Sequence, residues 1–130
     1  MVPPQATTRR RLLLTARIAL LLGVVAVSVL SLIPSDELPE VTLSDKIQHG
    51  LAYMALAAVG VAAFADRTAR LSIAAGLFVL GMVLEALQRF VPGRYFDVWD
   101  MVANGAGVVL GYVVMLIVMS RVSGPKAEPS

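Results

Sequence analysis

Three short groups of polar residues could do chemistry in this chain: Asp45-Lys46-x-x-His49-x-x-x-Tyr53, Glu85-x-x-Gln88, and Pro92-Gly93-Arg94-x-x-Asp97-x-x-Asp100-x-x-x-Asn104. His49 could move a proton as base or acid, since a free imidazole titrates near pH ~6.5. Glu85 could donate one. Asp97, Asp100 and Asn104 could position a nucleophile or a water. Lys46 and Arg94 could hold a phosphate or carboxylate, Arg94 by a two-pronged contact. His49, Glu85 and Asp100 are therefore the catalytic candidates. Lys46, Tyr53, Gln88, Arg94, Asp97 and Asn104 are the substrate-binding candidates. There is no Ser-His-Asp order with a nucleophile elbow and no zincin motif. The chain has no cysteine, which removes thiolate nucleophiles and cysteine metal sites. His49, Glu85, Asp97 and Asp100 could instead gather a divalent metal such as Zn, Mn or Mg. Lys46 and Arg94 would already balance two of the three acids, so the first expectation is no metal and no other cofactor.

These groups must be held by helices. At roughly 100° per residue, Asp45, His49 and Tyr53 fall within about 80° of one another and form one stripe flanked by Lys46. Ser44 or Asp45 can cap the start of that helix. Glu85 and Gln88 lie on neighbouring parts of one face, after residues 71–84, which carry no charge. A pair between Glu85 and Arg89 at i+4 is the simpler account. In an apolar segment it leaves two charges poorly solvated. Asp97, Asp100 and Asn104 share an arc that Gly107 and Gly111 continue, so a polar face becomes a helix-packing face deeper in. Pro92-Gly93 reads as a tight turn and Asp97 as a helix cap.

The rest of the chain says where those helices lie. Of 130 residues, 58% are apolar and 15% charged, and mean hydropathy is +0.79. That excludes a soluble domain and a disordered chain. The net charge of +2 forms no exposed basic stripe, so nucleic acid is not an expected partner. A membrane helix needs ~20 mostly apolar residues. Four stretches qualify: residues 17 or 18 to 33, stopped by Pro34; 45–65; 71–91, stopped by Pro92; and 98–120. Short connections make successive helices antiparallel neighbours. The expectation is an all-α membrane protein, an antiparallel bundle of four transmembrane helices forming one domain over residues 1–130. Residues 1–8 and 123–130 read as flexible ends. The first stretch reads as a retained helix and not a cleaved signal peptide, because Arg17 interrupts it and no small-x-small site follows.

Orientation follows from the eleven Lys and Arg. Arg9, Arg10, Arg11, Arg17, Arg67, Arg70, Arg121 and Lys126 fall on one side, and Lys46, Arg89 and Arg94 on the other. The positive-inside rule then puts both termini in the cytoplasm. The second helix starts outside, the third ends there and the fourth starts there. All three polar groups therefore share one outer level and would line a pocket open to the outside.

In order, spacing and membrane depth, these motifs over residues 45–111 resemble the VanZ-like family of small bacterial membrane proteins. The resemblance implies a multi-pass protein of the bacterial cytoplasmic (inner) membrane. The family's named member is associated with resistance to the glycopeptide teicoplanin. No reaction or substrate comes with the resemblance, so whether the chain is an enzyme is left open. The expected function is a polar pocket at the outer face, acting on a cell-envelope lipid or cell-wall precursor or in glycopeptide resistance. The alternative is a non-catalytic binding or accessory protein, with Lys46, Arg94, Glu85 and Asp100 as a structural ion-pair network. Expected partners are membrane lipids and a lipid-linked or glycopeptide ligand, and a homo-oligomer is compatible with this reading.

Overall fold

Proline and side-chain caps set the helix boundaries. In the computed structural model, which describes residues 4–122 with side chains from Ala6, the first helix α1 covers Pro4–Leu32. It ends two residues before Pro34, which disfavours helical backbone just ahead of it. A single 3-10 turn follows at Ser35–Glu37. Helix α2 covers Asp45–Ala63, α3 covers Arg67–Gln88 and α4 covers Val98–Val122. The side chain of Asp66 caps α3 by accepting the Ala69 N–H at 2.8 Å. No strand occurs among the described residues.

Two boundaries differ from the sequence expectation. Helix α1 starts at Pro4 and takes in the arginine run, so it begins well before the apolar stretch that starts at residue 17 or 18. The polar turns before Leu12 have no apolar periodicity to betray them, and Arg, Gln and Ala are good helix formers. Residues 1–3 and 123–130, read as flexible, lie outside the described residues. Helix α3 stops at Gln88, because residues 88–94 turn. Phe90 N–H donates to Leu87 O and Val91 N–H to Gln88 O. The Arg94 N–H then closes on Val91 O at 3.1 Å, with Gly93 at φ +72° in the third position that a type II turn reserves for glycine.

Among the described residues, three helices are long and apolar enough to cross a membrane: α1 over Ala6–Leu32, α3 and α4. The sequence expectation was four. Helix α2 is the exception, with 19 residues and a first turn and a half holding Asp45, Lys46, Gln48 and His49. It is also the central element. Its most extensive contact is with α4, and it also packs on α1 and α3. Leu20, Tyr53, Leu56, Ala57, Leu77 and Val108 form the core. Leu20 is the one buried hydrophobic residue among the described side chains of α1, while Leu12, Leu21, Leu22 and Val25 stand half or more exposed. The outward face of α4 is likewise apolar at Val109, Leu110, Val114 and Ile117. In water such surfaces would associate, and lipid is the solvent they fit. The chain is a multi-pass membrane protein.

Arginines close the far end of α2. Arg17 donates to Ala63 O at 3.2 Å and lies 4.8 Å over the Phe64 ring, and Arg70 donates to Phe64 O at 2.7 Å. Cations suit the orphan carbonyls and negative dipole end of a helix C-terminus.

Candidate functional site

Helix α4 presses on α2 through its glycines. A Cβ on Gly107 would collide with Gly50 O, and one on Gly111 with Met54 O. Backbone therefore meets backbone, and the first turns of α2 and α4 are drawn together. This close approach gives the polar stripes of both helices a common site.

Lys46 on α2 reaches α4. Its Nζ donates to Asp97 Oδ2 at 2.6 Å and to Asp100 Oδ1 at 3.3 Å. Asp97 also caps α4, its Oδ1 accepting the Trp99 N–H at 2.8 Å. Lys46, and then the Trp99 N–H, hold the Asp97 carboxyl below its usual range. One turn deeper, His49 Nδ1 lies 3.0 Å from Asn104 Oδ1. With the amide oxygen as acceptor, Nδ1–H donates, and in the neutral ring Nε2 keeps a free lone pair. Tyr53, Asn104 and Asp100 are buried.

From α3, Glu85 is buried to 1% exposure. Its Oε1 accepts the backbone N–H of Asp97 at 2.8 Å, tying α3 to the start of α4. Its Oε2 is buried and has no hydrogen-bond partner, and the same holds for Tyr53 Oη. The i+4 pair with Arg89 does not form. Arg89 donates to Ala86 O and lies over the Phe90 ring. One ligand atom each from His49, Glu85 and Asp100 lies within 4.8 Å of the others. Three helices thus deliver three chemistry-bearing side chains to one point. Asp97, the fourth member of the metal alternative, is engaged by Lys46 instead.

Arg94 differs most from its expected role. Its guanidinium donates to Ile33 O at 3.3 Å and Leu30 O at 3.2 Å. Gln88 does the same, donating to Ser31 O at 3.1 Å. Both side chains satisfy the last carbonyls of α1, which Pro34 leaves without helical partners. Arg94 is therefore not in an ion pair with Glu85 or Asp100, and the four-residue network reduces to Lys46 with Asp97 and Asp100. Capping of α2 also differs. Ser44 occupies the cap position without a side-chain hydrogen bond, and Asp45 is exposed in the first turn.

A cavity of about 310 Å³ opens between α1 and α2. Val27, Leu30, Leu38, Val41 and Ala52 form apolar walls, and Asp45, Gln48, His49, Gln88 and Arg94 give it a polar end. It shares His49, Gln48 and Arg94 with a second, more polar pocket of about 550 Å³ that reaches Lys46, Asp97 and Asp100. The sequence reading missed the contribution of α1 and of Leu38, Pro39 and Val41, because wall residues of this kind carry no polar signature. Gln48 did carry one, and it also pins the preceding loop through Leu43 O at 2.8 Å.

Searches of curated proteins and of solved structures give no match. A family model described as VanZ/LLP1 matches residues 6–119, which takes in α2 and α3 whole, nearly all of α1 and α4, and every residue of the site. The polar groups on α2, α3 and α4 and the apolar frame that positions them are thus parts of one matched unit, and the chain belongs to the VanZ/LLP1 family.

Proposed function

We propose that this protein binds an envelope amphiphile, a lipid or lipid-linked cell-wall precursor, at the outer face of the bacterial cytoplasmic membrane and acts on its polar head. All four helices cross the membrane as an antiparallel bundle with both termini in the cytoplasm, α2 tolerating its polar first turns because they open on the polar pocket at the membrane surface. The two-part pocket is the observation that carries this reading. Its apolar walls on α1 and α2 suit a hydrocarbon chain, and its polar end suits a charged head. Exposed Tyr95 lines that end, and Phe90 and Trp99 are exposed at the adjoining ends of α3 and α4, as aromatic residues are at a membrane surface.

Lys46 and Arg94 both line the polar pocket, Lys46 held by Asp97 and Asp100 and Arg94 by carbonyls at the end of α1, and they are the cations a head group would meet. His49 lines both pockets with Nε2 free, and Glu85, buried behind it with Oε2 unpartnered, lies within reach of the same point; these two are the proposed reacting positions. Purified protein incubated with lipid-linked precursors should give a new product by mass spectrometry. His49→Ala and Glu85→Gln should each lower its rate by about 100-fold or more. Equal product from wild type and both variants would refute the site. If the precursor is a cell-wall component, deleting the gene should also alter teicoplanin susceptibility.

A second reading has its own support. Lys46 bridges Asp97 and Asp100, and the Asp97 N–H reaches Glu85, so one polar network ties α2, α3 and α4 together. Such a network can fix helix register in a non-catalytic binding module. Tight binding of the precursor with no product would select it.

A further inference from the structure

We propose that His49, Glu85 and Asp100 together hold a divalent transition-metal ion at the base of the polar pocket. This deepens the reading of that pocket as a reaction site, while metal binding can be measured with no substrate present.

Charge is the first argument. Glu85 and Asp100 are 1% and 7% exposed, and buried carboxylates need a counter-charge. Lys46 sits closer to Asp97, at 2.6 Å, than to Asp100, at 3.3 Å. Asp97 therefore takes most of its charge. Arg94, the other nearby cation, is spent on the carbonyls of α1. Two buried acids are left short of about two positive charges, which is the charge of one divalent ion.

Orphaned atoms are the second argument, and it is independent of the first. Glu85 contributes a carboxylate oxygen to this cluster, and its Oε2 is buried and has no partner. Tyr53 Oη, equally buried and unpartnered, belongs to a side chain lining the adjoining cavity. A metal ion takes the carboxylate oxygen, and a water on that ion gives the phenol something to bond. Asn104 supplies the outer support, because Nδ1–H donation to its amide oxygen turns Nε2 into a metal-binding lone pair. One imidazole nitrogen and two carboxylate oxygens suit Zn²⁺ or Mn²⁺. Bonds of ~2.0–2.2 Å to one ion require ligand atoms roughly 3–3.5 Å apart, so side-chain rotations of about an ångström close the site. Three protein ligands leave coordination positions free for the head group.

The test is Zn²⁺ binding to metal-stripped full-length protein in detergent, by equilibrium dialysis with elemental analysis. Wild type should take up one ion per chain. Glu85→Gln and Asp100→Asn should each weaken binding by about 10-fold or more. Glu37→Gln, in the exposed loop, should not. No uptake by wild type, or unchanged affinity in both site variants, overturns the proposal. Lys46→Met covers the case where a site variant does not fold. Removing the ammonium that competes for Asp100 should tighten Zn²⁺ binding several-fold, and unchanged or weaker binding overturns the proposal too. Zn²⁺ binding without any product on lipid-linked precursors overturns the functional reading alone. Full turnover by stripped protein overturns the metal alone.

Discussion

At the residue scale, Lys46 and Asp97 make a link that acid should break in a defined window. The Asp97 carboxyl is held below its usual value near 3.8, chiefly by Lys46. A depressed carboxyl contributes stability that is fully present above its unfolded value and is lost as pH falls through the lower folded value. The melting temperature of wild type should therefore exceed that of Asp97→Asn by a constant margin from pH 8 to pH 5. The margin should vanish in stronger acid, below the usual carboxyl range. A margin that stays constant into strong acid would show that Lys46 does not sense the charge on Asp97. How much could be read from residues alone divides along a physical line. Glu85 stood out because a lone acid after an uncharged run is costly in a membrane helix. Its partner did not, because that partner is a backbone N–H delivered by the residue 88–97 turn. The hydrogen bonds of Arg94 to α1 were hidden for a related reason. A guanidinium serves carbonyls as readily as carboxylates, and only the packing of α1 decides which it meets.

At the element scale, the contact between α2 and α4 sets the geometry of the site. Its closeness rests on Gly107 and Gly111, whose faces meet the α2 backbone, which cannot step aside as a side-chain tip can. Gly107→Ala and Gly111→Ala should each destabilise the protein by about 1–3 kcal/mol, as overpacked sites do. Both should separate Lys46 from Asp97 and so lower any activity of the pocket. Gly76→Ala is the contrasting case. Nothing lies within 4 Å of its new methyl group, so better helix propensity should leave stability equal or raise it by up to about 1 kcal/mol. Thermal unfolding of the three variants in one detergent checks both directions, and similar losses for all three would refute the backbone-contact argument. The Gly-x-x-x-Gly spacing was visible in the sequence, as was the stop before Pro34, whereas α3 ends at Gln88, ahead of the stop read at Pro92. The α1 start at Pro4 was not, and nor was the α1 wall of the pocket, since exposed leucines and valines look alike whether they face lipid or ligand.

At the scale of the whole molecule, the small net charge of +2 hides an uneven distribution. Arg17, Arg67 and Arg70 gather at the end of the fold where α2 stops and α3 begins. Asp36, Glu37, Asp97 and Asp100 sit at the other end, with the pocket. Basic residues resist translocation, so the arginine end should remain in the cytoplasm and the pocket should face outward. The protein has no cysteine, which makes the measurement clean. Glu37→Cys, in the exposed loop before α2, should react with a membrane-impermeant maleimide in intact cells. Thr68→Cys, in the first turn of α3, should react only after permeabilisation. Reversed labelling would turn the pocket toward the cytoplasm. Lipid-linked precursors on the outer surface would then be out of reach, and the ligand would have to be an amphiphile of the inner leaflet. Topology is thus the one measurement that constrains substrate class before any substrate is known.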